Sequence, residues 1–331
     1  MKTYLEKLVN GSTLTRDDTH QIMLDIVDGK YSDIQIASLL TGIQISGITA
    51  EEVLGFRDGL KETGKQVNLQ RDDALDIVGT GGDGKNTFNI STCSAFVVAG
   101  AGYYIAKHGN GASTSVSGAS NVLQGHGVKF SDDESVLRRS LEEAHFCYLH
   151  APLFALGMKS VGPSRKSLGI PTCFNILGPL INPCSPKYSL HGTATQAQMR
   201  LYTAIHQQIG DNYGIVTSYD GYDEISLTSG FKFVTNCFEK VYTPKDLGFN
   251  YIEQREIYGG STAAEAMKIF DSVLDGTSTE AQRNVVIANA ACAIGVIDRN
   301  MSISESIEMA KESIASGKAK LCLKKFVELN S

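Results

Sequence analysis

Four stretches of this chain combine residue types suited to holding anions and divalent cations. Gly79-Thr-Gly-Gly-Asp83 follows the apolar run Ala74 to Val78 and precedes a helix-forming run. At such a strand end and helix start, backbone N–H groups point outward unsatisfied, and glycine lets a polyanion come close to them. A tight turn without a ligand explains the same residues, and the spacing matches neither Gly-x-x-x-x-Gly-Lys-Ser/Thr nor Gly-x-Gly-x-x-Gly. Asn89-Ile-Ser-Thr92 sits where the next helix starts, so its amide and hydroxyls either cap that helix or meet phosphate or metal oxygens. Lys107-His-Gly-Asn110 puts a cation at a strand end, ahead of the polar loop Gly111-Ala-Ser-Thr-Ser-Val-Ser-Gly118. Such a loop wraps a polyphosphate or simply lies in solvent. Asp223-Glu224, just after the strand Gly214 to Thr217, is either a solvated pair or a source of hard oxygen ligands for magnesium.

The elements that must position these residues are of two kinds. Residues 1–70 read as helices alone. Thr15 or Asp17 opens one through Ile22, Met23, Ile26 and Val27, and Ser32 opens the next through Ile36, Leu39, Leu40 and Ile43. Thr49-Ala-Glu-Glu52 is a capping box for a third, which carries Val53, Phe56 and Leu60 on one face and is closed by Gly64. These apolar faces exceed what short helices hide among themselves, so the main domain or a second subunit must cover the remainder. From residue 74, apolar strands at 74–78, 104–106, 146–149, 191–194 and 214–217 alternate with helices, including one after the capping box Ser131-Asp-Asp-Glu134. That alternation implies a central sheet covered by helices. The proline-rich stretch Pro163 to Pro183 reads as a connection passing between domains, and the C-terminal part of the chain is mainly helical.

Composition narrows the function classes. A formal net charge of −6 leaves no basic excess for non-specific attraction to nucleic acid, so an anionic substrate must be met by local groups. The seven cysteines contain no Cys-x-x-Cys pair and cannot all pair within one chain, which points to reduced thiols in the cytoplasm. The N-terminal residues are too charged for a signal peptide, and no apolar run approaches membrane-spanning length.

Taken together and in this order, the four stretches resemble the anthranilate phosphoribosyltransferases over nearly the whole chain. That family has a Gly-Thr-Gly-Gly-Asp loop, an Asn-x-Ser-Thr helix start, a Lys-His-Gly-Asn strand end and an Asp-Glu pair. It also has an Arg ahead of Phe-Asn-x-Leu-Gly-Pro-Leu-x-Asn-Pro, matched here by Arg165 and Phe174-Asn-Ile-Leu-Gly-Pro-Leu-Ile-Asn-Pro183. The resemblance implies a small all-helical domain, residues 1–70 with a return near 160–185, that forms a homodimer. It further implies a larger α/β domain, residues 71–160 and 186–331, with the nucleoside phosphorylase/phosphoribosyltransferase fold and a substrate cleft between the domains.

By the same resemblance, Gly79, Gly82, Asp83, Thr87, Asn89, Ile90, Ser91, Thr92 and Lys107 would hold phosphoribosyl pyrophosphate. His108, Gly109, Asn110, Gly111, Ala112, Ser113, Thr114, Ser115 and Ala119 would close over it. Ser91, Asp223 and Glu224 would carry two magnesium ions per subunit, and Arg165, Asn110 and Lys107 would act in catalysis. Anthranilate would meet Gly79, Asn110 and Arg165, whose guanidinium offers a planar carboxylate a rigid donor fork. This chain departs from the family at Gly111, where Arg is common, at Ala119, where Ser is common, and in the wording of residues 156–162. A pyrimidine nucleoside phosphorylase and a non-catalytic nucleic-acid-binding relative share the fold. The acidic pair and Arg165 speak against the first, and the net charge speaks against the second.

Overall fold

The computed structural model describes residues 1–111 and 118–331. The chain divides into two units, residues 1–67 with 151–185, and residues 68–150 with 186–331.

The first unit is helical. Its helices Lys2–Val9, Arg16–Val27, Asp33–Ser46 and Ala50–Glu62 are joined by Ala151–Phe154 and Met158–Leu168. Thr15, Ser32 and Thr49 each accept the N–H three residues on, and each helix returns an acid or amide to the cap backbone. Glu52 does more than cap: it is buried, one oxygen takes the Thr49 N–H at 2.8 Å and the other takes the Leu14 N–H at 2.9 Å. Gly64 does not close the third helix by a left-handed turn. That helix ends at Glu62, and Gly64 is small because a Cβ there would lie 2.8 Å from the Phe154 carbonyl oxygen.

Three expectations need correction in this unit. The chain returns at Ala151 and not near 160, because Phe154 and Ala155 are buried in the helical unit and the Phe154 carbonyl accepts the Lys65 N–H. The stretch 163–183 is not a free connection, since Pro163 lies inside the helix Met158–Leu168 and the remainder packs as short turns in the same unit. Ile36, Leu39, Leu40 and Ile43 are no surplus face: all are buried within the chain, in a helix that packs against Lys2–Val9 and Met158–Leu168. Among the described residues of this unit, the most exposed large apolar side chains are instead Val9, Ile34 and Ile45, at 86%, 79% and 82% exposure, ahead of Leu156 and Ile170.

The second unit is a seven-stranded sheet with helices around it. Its strands are β1 (Leu75–Gly79), β2 (Ile105–Gly109), β3 (Phe146–His150), β4 (Tyr188–Gly192), β5 (Asn212–Ser218), β6 (Phe231–Thr235) and β7 (Glu239–Tyr242). They lie in the order β3-β2-β1-β4-β5-β6-β7, parallel from β3 to β5 and antiparallel beyond. Strand β4 begins three residues before the expected His191, because Tyr188 pairs with Leu75 and the strand is over at Gly192. Strands β6 and β7 extend the sheet beyond the alternation read from the sequence; β7 is an exposed edge without apolar alternation, whereas β6 buries Phe231 and Phe233. The helix after Ser131 is capped by Asp133, while Ser131 accepts the Asp133 N–H in the turn before it.

The helix Ile90–Gly100 explains why its sequence is apolar all round. Phe96 stacks on Phe146 of the sheet at 4.1 Å between ring centroids and meets Phe270 and Phe326 of the C-terminal helices on its other sides. At its end, a Cβ on Gly100 would sit 2.7 Å from the Ala319 Cα, so the helix is enclosed from both faces. Its N-terminus carries Ser91, whose N–H meets Glu224.

Candidate functional site

The order of the strands marks where a ligand would bind. From β1 the chain moves outward to β2 and β3, then crosses to β4 on the other side of β1. In parallel α/β sheets the crevice at the carboxyl ends of the strands, where the order reverses, is the usual ligand site. Gly79 ends β1 and pairs with Gly192, which ends β4. Both positions demand glycine: a Cβ on Gly79 would lie 2.4 Å from Asp223 Oδ2, and one on Gly192 would lie 1.6 Å from the Asp223 carbonyl oxygen.

Beyond Gly79 the loop turns through left-handed glycines at 81, 82 and 84, with φ of 69°, 74° and 72°. The Gly81 N–H donates to Asp223 Oδ2 at 2.6 Å, and Asp83 accepts the Lys85 N–H at 3.0 Å. Asn89 caps the following helix in a left-handed conformation, its side chain accepting the Thr92 N–H at 3.3 Å. The first turn of that helix faces the acids, since the Ser91 N–H donates to Glu224 Oε1 at 3.2 Å, and from the segment just before the helix the Thr87 hydroxyl donates to Glu224 Oε2 at 3.2 Å. The glycine loop and the helix start, predicted separately, are thus tied to the acidic pair.

The electrostatics of this cluster are unbalanced. Asp223 and Glu224 are buried, and burial, followed by the neighbouring carboxylates, pushes both carboxyl groups above their ordinary range. Lys107 is the buried cation of the cluster; its ammonium bonds the Ile77 carbonyl, and burial pulls its pKa down to about 8 against the opposing effect of Asp76, Glu224 and Asp223. A divalent cation would relieve the repulsion among Asp83, Asp223 and Glu224. Among the described residues no group of three or more His, Cys, Asp or Glu side chains is placed to hold an ion alone. That donor set fits magnesium, which commonly binds through one or two carboxylates while substrate phosphates and water complete its shell.

The remaining expected residues fall in several places. Gly82 is open, with nothing near the position of a Cβ, whereas the Ile90 side chain lies in the core, so only its backbone can face a ligand. Thr92 is fully buried, and its hydroxyl has no partner among the described residues. His108 is buried and its backbone N–H donates to Asp76. Gly109 passes close under Tyr148, whose hydroxyl would lie 2.7 Å from a Cβ there. Asn110 is exposed, its side chain accepts the Gly111 N–H at 2.8 Å, and its carbonyl accepts the Ser120 N–H at 3.1 Å beside Ala119. Ala112, Ser113, Thr114 and Ser115 lie outside the described residues. Arg165 belongs to the helical unit, half-buried, with its guanidinium donating to Asn175 Oδ1 at 3.3 Å.

Two residues of the cluster were missed. Gly192 carried no signal beyond being one glycine among many, because its close approach depends on a residue distant in sequence. Tyr222 is buried beside the acids, with the Lys85 ammonium 4.7 Å over its ring. The Gly192→Ala variant is expected to lose turnover and to melt several degrees lower, since the obstacle is backbone and overpacking of this kind costs about 1–3 kcal/mol or more. Activity and thermal unfolding of the purified variant check this.

Comparison with known proteins gives a consistent result. Residues 2–64 match the helical bundle domain of a glycosyl transferase family, and residues 71–320 match its a/b domain. An anthranilate phosphoribosyltransferase of Phocaeicola vulgatus is 53% identical over 331 residues, covering 100% of both chains. One of Cytophaga hutchinsonii is 47% identical over 328 residues, covering 99% of this chain and 100% of its own. Among solved structures, anthranilate phosphoribosyltransferase from Thermus thermophilus superposes with a TM-score of 0.92 at 28% identity, covering 98% of each chain. The enzyme from Saccharomyces cerevisiae in complex with PRPP and Mg superposes with a TM-score of 0.92 at 29% identity, covering 99% of this chain and 97% of that one. No helix among the described residues is long and apolar enough to cross a membrane.

Proposed function

The chain belongs to the anthranilate phosphoribosyltransferase family, and from that premise we propose how its residues divide the work. The reaction joins the amine of anthranilate to the ribose carbon of phosphoribosyl pyrophosphate in tryptophan biosynthesis. One bond forms, from nitrogen to carbon, as the carbon–oxygen bond to pyrophosphate breaks and the amine gives up a proton. The observation that best supports this reading is the convergence on one acidic pair. Asp223 and Glu224 take hydrogen bonds from Gly81 and Ser91, which lie far from them in sequence and come from the two motifs suited to phosphate, and from Thr87 in the segment between those motifs.

In this reading Gly79, Gly82, Asp83, Thr87, Asn89, Ser91, Thr92 and Lys107 hold the phosphoribosyl pyrophosphate, with backbone N–H groups and the helix dipole meeting its phosphates. When bound, magnesium, two ions per subunit on Ser91, Asp223 and Glu224, neutralises charge on the departing pyrophosphate. Lys107 offsets part of the charge of the acidic pair beneath the glycine loop. Arg165 holds the anthranilate carboxylate, and Asn110 with Gly79 orients the amine. An arylamine is already nucleophilic, so positioning and electrostatics carry the reaction and His108 is not assigned as a base. Pyrophosphate release should require both phosphoribosyl pyrophosphate and anthranilate. Cleavage of thymidine by phosphate under the same conditions would instead identify a nucleoside phosphorylase.

The active form is proposed to be a cytoplasmic homodimer joined through the N-terminal helices. Val9, Ile34 and Ile45 support the dimer as exposed apolar side chains on one unit, and seven free cysteines suit a reducing compartment. Sedimentation at micromolar concentration is expected to give a dimer, and Ile34→Asp with Ile45→Asp to give a monomer. A dimer unaffected by the double substitution would move the interface elsewhere.

A further inference from the structure

The helix Glu280–Ile297 is buried along nearly its whole length, and Asn289 is the polar exception in its run from Val285 to Ile294. Burying an amide among apolar side chains costs free energy unless its donors and acceptor are used, and a leucine or alanine would also favour the helix more. All of its chemistry is used. Oδ1 accepts the Ile225 N–H at 3.0 Å, while Nδ2 donates to the Ile225 carbonyl at 2.9 Å and to the Val285 carbonyl at 2.8 Å. The bond to Val285 fixes the amide against its own helix, and the other two grip both backbone groups of a single residue.

That residue directly follows Asp223 and Glu224. The backbone around it is held from a second side by Ser218 of β5, whose hydroxyl donates to the Glu224 carbonyl at 2.6 Å and accepts the Ser226 N–H at 3.2 Å. Leu227 then turns out of the loop in a left-handed conformation, with φ of 59°. An acidic pair whose carboxylates repel one another is held here through its backbone as well as by Gly81, Thr87 and Ser91, and the helix Glu280–Ile297 grips that backbone through the Asn289 side chain.

We propose that Asn289 is a positioning residue, which sets Asp223 and Glu224 for metal binding through a two-point grip on Ile225. The inference rests on the assignment of that pair as metal ligands. Supporting groups behind metal ligands typically contribute 10–100-fold to metal affinity. The test is manganese binding in the presence of phosphoribosyl pyrophosphate, followed by electron paramagnetic resonance, for Asn289→Leu and Asn289→Ser. Leu keeps the volume and removes the grip, and Ser is the alternative if Leu does not fold. Val296→Ala, a buried change on the same helix away from the loop, controls for lost stability. The expected result is manganese affinity weakened about tenfold or more in the Asn289 variants. The turnover number should fall while KM for anthranilate stays within about twofold, and Val296→Ala should keep full manganese affinity at a comparable loss of melting temperature. Unchanged manganese affinity in both Asn289 variants, with Asp223→Asn weakened, would overturn the grip alone. Unchanged affinity in Asp223→Asn as well would overturn the metal assignment and the grip with it.

Discussion

The paired substitution Asp223→Asn and Glu224→Gln should lower turnover by about a hundredfold or more, as expected when charge stabilisation of a leaving group is withdrawn. It should do so without unfolding the protein. Both carboxyl groups are pushed above their ordinary range by burial, so in the metal-free protein their ionisation costs stability. A carboxyl that holds its proton more tightly in the fold than in the unfolded chain makes stability fall as pH rises above its ordinary value. Two amides of similar shape remove that cost, and their carbonyl oxygens still accept the N–H groups of Gly81 and Ser91. The double variant should therefore melt at the same temperature as the unmodified protein, or higher, near neutral pH without metal. Turnover and thermal unfolding, each with and without magnesium, decide it. Undiminished turnover at low magnesium would remove Asp223 and Glu224 from the metal site.

Arg165→Ala should raise KM for anthranilate by about thirtyfold or more while leaving affinity for phosphoribosyl pyrophosphate nearly unchanged. The guanidinium is half-buried and oriented by Asn175, which also accepts the Thr172 N–H at 2.9 Å. A planar fork held in this way suits a carboxylate. Truncating one partner of such a contact costs roughly 2–5 kcal/mol at a partly desolvated site. The conservative change Arg165→Lys should recover only part of the loss, because a point charge does not reproduce two parallel hydrogen bonds. Kinetic constants for both substrates, with calorimetry for phosphoribosyl pyrophosphate, separate the outcomes. Equal weakening of both would indicate a disturbed helix, and no weakening for anthranilate would sink the assignment of Arg165.

What the sequence made legible was whatever is encoded locally. Thr15, Ser32 and Thr49 announce helix starts because a cap and its reciprocal acid or amide lie three residues apart. The glycine loop and the acidic pair could each be placed after a strand and the Asn89 cap at a helix start, and their joint order carried the family resemblance. What stayed hidden depends on partners distant along the chain. Gly192 is required by the Asp223 carbonyl, and Asn289 by the backbone of Ile225. The burial of Ile36, Leu39, Leu40 and Ile43 could not be foreseen either, because the segment that helps to cover them returns only after residue 150. Apolar spacing reports that a face will be covered, and not by what.

The central claim is the transfer itself. Incubating the purified protein with anthranilate, phosphoribosyl pyrophosphate and magnesium, while following anthranilate fluorescence, tests it most directly. The account predicts a steady loss of anthranilate signal that needs all three components, with pyrophosphate formed in equal amount. Constant fluorescence with a folded protein and both substrates present would contradict it.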